Sequence, residues 1–198
     1  MVLLFAFRYL LFFLLPAWNE TPDSSVLQEI WLVRSSSSLL VYGATNINEF
    51  TCSVSSYGRM DTLIYHTNQY KQNKYKVNSV LNVPVSQFDC QNRIMTKDLQ
   101  KTLKMDKYPH VVIDIRYLSD LPTSVQKVIE GHVDIMIAGV KKHFIIPFTP
   151  AKKQNIIQLK GKKQVHFSDF NLIPPSKLGG SIRVKNELDV EVTLILSK

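Results

Sequence analysis

The feature that most constrains this chain is a strict period of two. From Leu188 to Leu196 every second residue is aliphatic: Leu188, Val190, Val192, Leu194 and Leu196, with Asp189, Glu191 and Thr193 between them. Successive side chains of a strand point to opposite faces, so this pattern makes a strand with one dry face and one wet one. The same alternation recurs upstream. Leu39, Val41 and Gly43 share a phase, then Cys52 and Val54. Val77, Ser79, Leu81, Val83 and Val85 form the next row, and Val111, Ile113, Ile115 and Tyr117 alternate with Asp114 and Arg116. Val133, Ile135 and Ile137 follow, then Phe144, Ile146 and Phe148. Turns are expected at Gly139 before Lys141-Lys142, at Gly161 in the run KGKK, and at Gly179-Gly180 after Pro174-Pro175. Many half-buried strands joined by short turns predict an all-β antiparallel fold, a sandwich or a barrel.

One segment leaves that period. Between Cys90 and Leu103 the apolar residues Met95, Leu99 and Leu103 recur every four positions, which predicts an amphipathic helix with Asp89 or Asn92 as its N-cap. A single helix among strands is expected to plug a barrel mouth or pack on a sheet. The composition is near the globular average, with 198 residues, 45% apolar, 20% charged and 2 Cys; this excludes wholesale disorder and a dense disulfide scaffold. One domain is expected over 27–198, large enough to bury a core.

Residues 1–17, MVLLFAFRYLLFFLLPA, are shorter than the about 20 apolar residues of a membrane span and carry Arg8 in their middle, where burial in a bilayer costs about 3 kcal/mol. They read as a secretory signal ending near Ala17, with 18–26 as a polar spacer; an uncleaved anchor or a buried apolar segment are the alternatives. Export places the protein in the periplasm or outside the cell. There a bridge between Cys52 and Cys90, which are too far apart for a CxxC metal motif, is worth about 4 kcal/mol by loop closure; two buried free thiols are the other reading.

Four phrases resemble the YceI-like family of exported bacterial lipid-binding proteins, in its cysteine-pair variant: VYGATNINEFTC (41–52), FDCQNRIMTKDLQKTLKMDKYPHVVIDI (88–115), VDIMIAGVKKHFIIPF (133–148) and VHFSDFNLIPPSKLGGSIRVKNELDVEVTLIL (165–196). They stand in the family's order and span nearly the whole chain after the spacer. The family's arginine with a following aromatic–glycine pair is not present, since Arg183 precedes Val184 and Lys185. The resemblance implies a lipocalin-like antiparallel barrel of about eight strands, closed by the helix, holding a long isoprenoid chain. Burial of each methylene is worth about 0.8 kcal/mol, so such a lumen needs inward apolar residues and empty volume and no catalytic group. The lumen candidates are Val54, Leu63, Tyr65, Leu81, Ile113, Ile135, Ile146, Phe167, Val190 and Val192, with Met95 and Leu99 from the helix. Periodicity does not separate a hollow barrel from a filled one. A filled barrel would be a stress-response or interaction protein.

The formal charge is +8, and one tract supplies most of it: Lys141, Lys142, Lys152, Lys153, Lys160, Lys162 and Lys163, with no acid between the first and the last. Placed at hairpin turns, these lysines are expected to ring one barrel edge and to attract a prenyl phosphate or an anionic membrane surface, or simply to be solvated. Nucleic acid is excluded as a partner by export and by the lack of interleaved aromatics. The partners expected are therefore a lipid or isoprenoid, an anionic membrane surface and a second copy of the chain in a homodimer. No cofactor or metal is expected. His66, His110, His132, His143 and His166 show no metal-ligand spacing, and no nucleophile motif is present, so no enzyme activity is expected.

Overall fold

The structure, a computed structural model, describes residues 27–67, 75–123 and 127–198; the signal and spacer expected over 1–26 lie outside them. The strands are β1 (Leu27–Val33), β2 (Ser38–Thr45), β3 (Glu49–Val54), β4 (Asp61–Thr67), β5 (Tyr75–Pro84), β6 (His110–Leu118), β7 (Ile129–Ile137), β8 (Val140–Lys153), β9 (Ile156–His166), β10 (Ser176–Lys177) and β11 (Ile182–Ser197). Pairing runs β1-β4-β5-β6-β7-β8-β9-β11 and returns to β1, all antiparallel, which closes an eight-strand barrel. β2 and β3 extend the wall from the free edge of β11. Closure leaves few exposed strand edges, the usual hazard of an all-β fold.

The closing contact is short. Leu32 and Val33 pair with Ser197 and Leu196, and the chain then turns away into β2. Three hydrogen bonds reinforce it: Arg34 N–H donates to Ile195 O (2.7 Å), Ile195 N–H to Ser37 Oγ (3.0 Å) and Arg34 Nη1 to Ser197 Oγ (3.4 Å).

Helix α1 (Arg93–Thr102) occupies the connection between β5 and β6. Asn92 caps it, its Oδ1 accepting from Ile94 N–H (3.0 Å) and Met95 N–H (3.1 Å), which satisfies two of the unpaired donors of the first turn. The excursion is pinched at its base, where Val85 N–H donates to Pro109 O (2.9 Å). At its near end Cys90 is bridged to Cys52 of β3, beside a two-way backbone bridge between Ser53 and Asp89. At its far end the Tyr108 ring lies on Gly139 in the β7–β8 turn, where a side chain would meet the ring within 2.8 Å. Gly139 also has a φ of +82°, so glycine serves there twice.

Two expectations are corrected. Tyr117 faces out, 41% exposed, because a bulge in β6 puts one extra residue between the pairs Ile115↔Val133 and Tyr117↔His132; Leu118 takes the inward place. Gly161 is no turn. It lies in the middle of β9, paired with Phe148, and its missing side chain makes room for the Phe148 ring.

Candidate functional site

The barrel interior differs between its two ends. At the end away from α1, the inward rows are solid: Val33, Leu63, Tyr65, Leu118, Ile129, Ile157 and Leu196 are buried almost completely. Towards α1 the same rows become only half-buried, at Ile113 on β6, Ile135 and Ile137 on β7, and Val190 and Val192 on β11. Those side chains face a hollow. About 110 Å³ of it is reachable by the centre of a water-sized sphere, within about 1060 Å³ of atom-free space continuous with the outside. Its roof is Leu99 of α1, with Leu103 just past the helix end; Phe88, Phe167 and Phe170 close its sides.

Phe148 makes the floor. Its ring lies across the strands over Gly131 of β7 and Gly161 of β9, and a Cβ on either glycine would meet the ring at 2.5 and 2.7 Å. Two glycines on the strands either side of β8 thus let one large aromatic lie flat, closing the hollow against the packed half below it.

The hollow contains eight of the twelve residues expected in a lumen: Leu81, Leu99, Ile113, Ile135, Ile146, Phe167, Val190 and Val192. Val54 lines a smaller void of about 20 Å³ that shares Leu39, Leu81, Ile113, Val192 and Leu194 with the main one. Leu63 and Tyr65 do not reach it; they point inward but belong to the packed half, 0% exposed. Burial pushes the Tyr65 hydroxyl well above its ordinary pKa, and its oxygen has no hydrogen-bond partner, which marks a site sealed from water. Met95 packs against the core from α1 without lining the hollow.

The wall above the floor is split on one side. β8 and β9 pair only from Phe148↔Gly161 down to Lys153↔Ile156. Above that, among the described residues, Val140–Pro147 pair with β7 alone and Lys162–His166 with β11 alone. Pro147 stands where the pairing stops, and a residue without an N–H suits a strand that is an edge there. Into this split the chain after β9 places Phe170, whose ring meets that of Phe144 at 6.1 Å between centroids.

The lysines do not ring one edge. Lys141 and Lys142 sit at the α1 end of β8, Lys152 and Lys153 at the opposite end. Four of the seven are tied to acids: Lys141 to Asp134 (3.9 Å), Lys142 to Asp169 (3.4 Å), and Lys160 and Lys162 to the two oxygens of Glu191 (2.7 and 3.0 Å). The Lys160 hydrogen bond, and then that of Lys162, holds the buried Glu191 carboxyl below the usual range. Lys163 alone is on the inward row of β9, following Ile157, Leu159 and Gly161, and lines the hollow. Reading KGKK as a turn hid this; extending the phase of Leu159 by four residues reveals it.

The structure also assembles a pair that spacing alone did not show. The β7–β8 hairpin brings His143 Nε2 to 3.3 Å from His132 Nδ1 on the outer wall, with His143 Nδ1 at 2.8 Å from Asp134 Oδ1. No group of three metal-ligating side chains converges among the described residues, and no helix among them is long and apolar enough to cross a membrane.

Comparison of the sequence with family models and with curated proteins finds no match. Solved structures do match the fold. BcnA of Burkholderia cenocepacia superposes with a TM-score of 0.61 at 12% identity, over 80% of this chain and 95% of that one. A polyisoprenoid-binding domain from Saccharophagus degradans, implicated in plant cell wall breakdown, gives 0.59 at 10% identity, over 85% and 97%. The Campylobacter jejuni YceI protein gives 0.49 at 14% identity, over 70% and 81%. The chain thus has the lipocalin-like barrel fold of the first two of these proteins.

Proposed function

We propose that the protein is a YceI-like carrier, exported from the cytoplasm, that holds the tail of an isoprenoid or similar amphiphile without covalent attachment. The observation that carries this reading is the apolar hollow between the Phe148 floor and the α1 roof, open to the outside and lined by aliphatic and aromatic side chains. Apart from Lys163 and His166 its lining is apolar, which suits the burial of hydrocarbon. The fold shared with a polyisoprenoid-binding domain supports the same reading.

The hollow is narrow. An apolar cavity of about 150 Å³ accommodates a benzene ring, so the space here takes part of a chain, and a long tail requires the roof to move. α1 suits that role: none of its ten residues is fully buried, and the polar ties along its length, Lys177 to Asp98 (2.8 Å) and Gln100 Nε2 to Ser86 O (3.4 Å), are exposed ones. The packed lower half favours a second reading, an interaction barrel without a small-molecule ligand.

Native mass spectrometry on protein purified without added lipid, followed by titration with a C15–C40 series of prenols and quinones, separates the two. One tail per chain is the expected result. A barrel that carries nothing after purification and takes up no member of the series is the interaction protein.

A further inference from the structure

The hollow has one charged group in its wall with no counter-charge. Its lining contains two residues that are not apolar, Lys163 and His166. His166 has an acid beside it, Asp169 at 3.4 Å. Lys163 makes no hydrogen bond or ion pair with any acid among the described residues, although Lys160 and Lys162, three and one positions away, both bind Glu191 on the outer face. The alternation of β9 forces the division: residues 160 and 162 point out, 163 points in. No acid lines the hollow.

A lysine on an apolar wall is expensive unless its ammonium finds water or an anion. Lys163 stands two residues above the Phe148↔Gly161 pair, at the level where β8 and β9 part company. Its methylenes therefore lie along the hydrocarbon space, level with the split into which Phe170 packs. An amphiphile with its head group at this height would direct its tail into the hollow between the Phe148 floor and α1.

We infer that Lys163 is a head-group residue and that the ligand is an acidic amphiphile, its carboxylate or phosphate oxygens receiving the ammonium at the β8–β9 split. The inference rests on the carrier reading above and narrows it, from any long hydrocarbon to one ending in an oxyanion. Lys152 and Lys153, with no acid partner among the described residues either but at the far end of the hairpin, are outside this site. A charge-assisted hydrogen bond of this kind corresponds to about a ten- to hundredfold preference over a neutral head.

The test is a set of titrations of the purified protein, below micelle concentrations, with four ligands in matched pairs: farnesyl phosphate against farnesol, and palmitate against hexadecanol. The wild type is expected to bind at least one acid about tenfold or more tightly than its alcohol, and the pair that shows the preference tells phosphate from carboxylate. Lys163→Met keeps the methylene stem and is expected to abolish the preference, each acid then binding no more tightly than its alcohol. Lys163→Arg is expected to retain the preference, and the double variant Lys152→Met, Lys153→Met to match the wild type. Equal affinity for acid and alcohol in the wild type, or an undiminished preference in Lys163→Met, overturns the head-group assignment and leaves the carrier intact. Failure of all four ligands to bind the wild type overturns both.

Discussion

The two halves of this barrel are built from the same strands with the same alternation, yet one is solid and the other hollow. Below Phe148, Leu63, Tyr65, Leu118, Ile129 and Leu196 fill the interior completely. Above it, Ile113, Ile135, Val190 and Val192 occupy equivalent inward positions and stay half-buried because nothing faces them across the lumen. The strands at the solid end are also tied around the circuit, including the β1–β11 closure, while at the hollow end β8 and β9 separate. The difference teaches that inward orientation and contact with a ligand are separate properties. The first is set by the period of the strand; the second depends on what the opposite wall contributes.

The comparison can be broken first at the elements that hold the hollow half together. Replacing both Cys52 and Cys90 by serine is expected to cost about 4 kcal/mol in urea unfolding, since the bridge closes a loop spanning 38 residues, and to speed ligand exchange by freeing the near end of α1. An unfolding midpoint unchanged from the wild type would show that the backbone bridge at Ser53 and Asp89 suffices. Phe148→Ala removes the floor. The expected cost is about 3–4 kcal/mol, with longer tails accepted as the hollow extends downward; stability and chain-length preference are read in the same titration series.

A matched pair of truncations sharpens the contrast. Ile129→Ala, in the packed half, is expected to cost about 3 kcal/mol, whereas Ile135→Ala, on the same strand but facing the hollow, should cost about 1 kcal/mol because fewer contacts are lost. Equal losses from chemical denaturation would contradict the division into two halves. The smallest effect is expected outside the barrel. Glu191→Gln should cost less than about 1 kcal/mol at neutral pH, as both partner lysines are largely exposed. Because the folded-state pKa of Glu191 is depressed, its contribution is present above the unfolded carboxylate range and disappears as pH falls through the folded value. The difference between wild type and variant should therefore shrink in acid; a difference that grows there would show the sign to be wrong.

Much of the architecture is legible in the alternation itself. The strand rows of 77–85, 133–137, 144–148 and 188–196 keep their phase in the barrel, and the four-residue spacing of Met95, Leu99 and Leu103 marks α1 with Asn92 as its cap. The misreadings come from places where one residue changes phase or meaning. The bulge before Tyr117 turns an inward expectation outward, since an inserted residue leaves no mark in an otherwise regular row. Gly161 looks like punctuation, but its small size serves a ring on the next strand, a relation that only the β8–β9 register discloses. That error concealed Lys163 as an inward residue. Leu63 and Tyr65 show a different limit: their orientation is as expected, but whether an inward side chain meets space or another side chain depends on strands far away in sequence. His132 and His143 stand apart until the hairpin turning at Gly139 sets them side by side.

The central claim is that hydrocarbon occupies the half of the barrel between Phe148 and α1. Photo-crosslinking with a prenol that carries a diazirine in its tail, followed by peptide mass spectrometry, tests this directly. Adducts are expected on the strand segments around Ile135 and Val190–Val192 and on α1 at Leu99, with none around Leu63, Tyr65 or Ile129. Adducts confined to the outer wall, or spread without regard to the floor at Phe148, would contradict it.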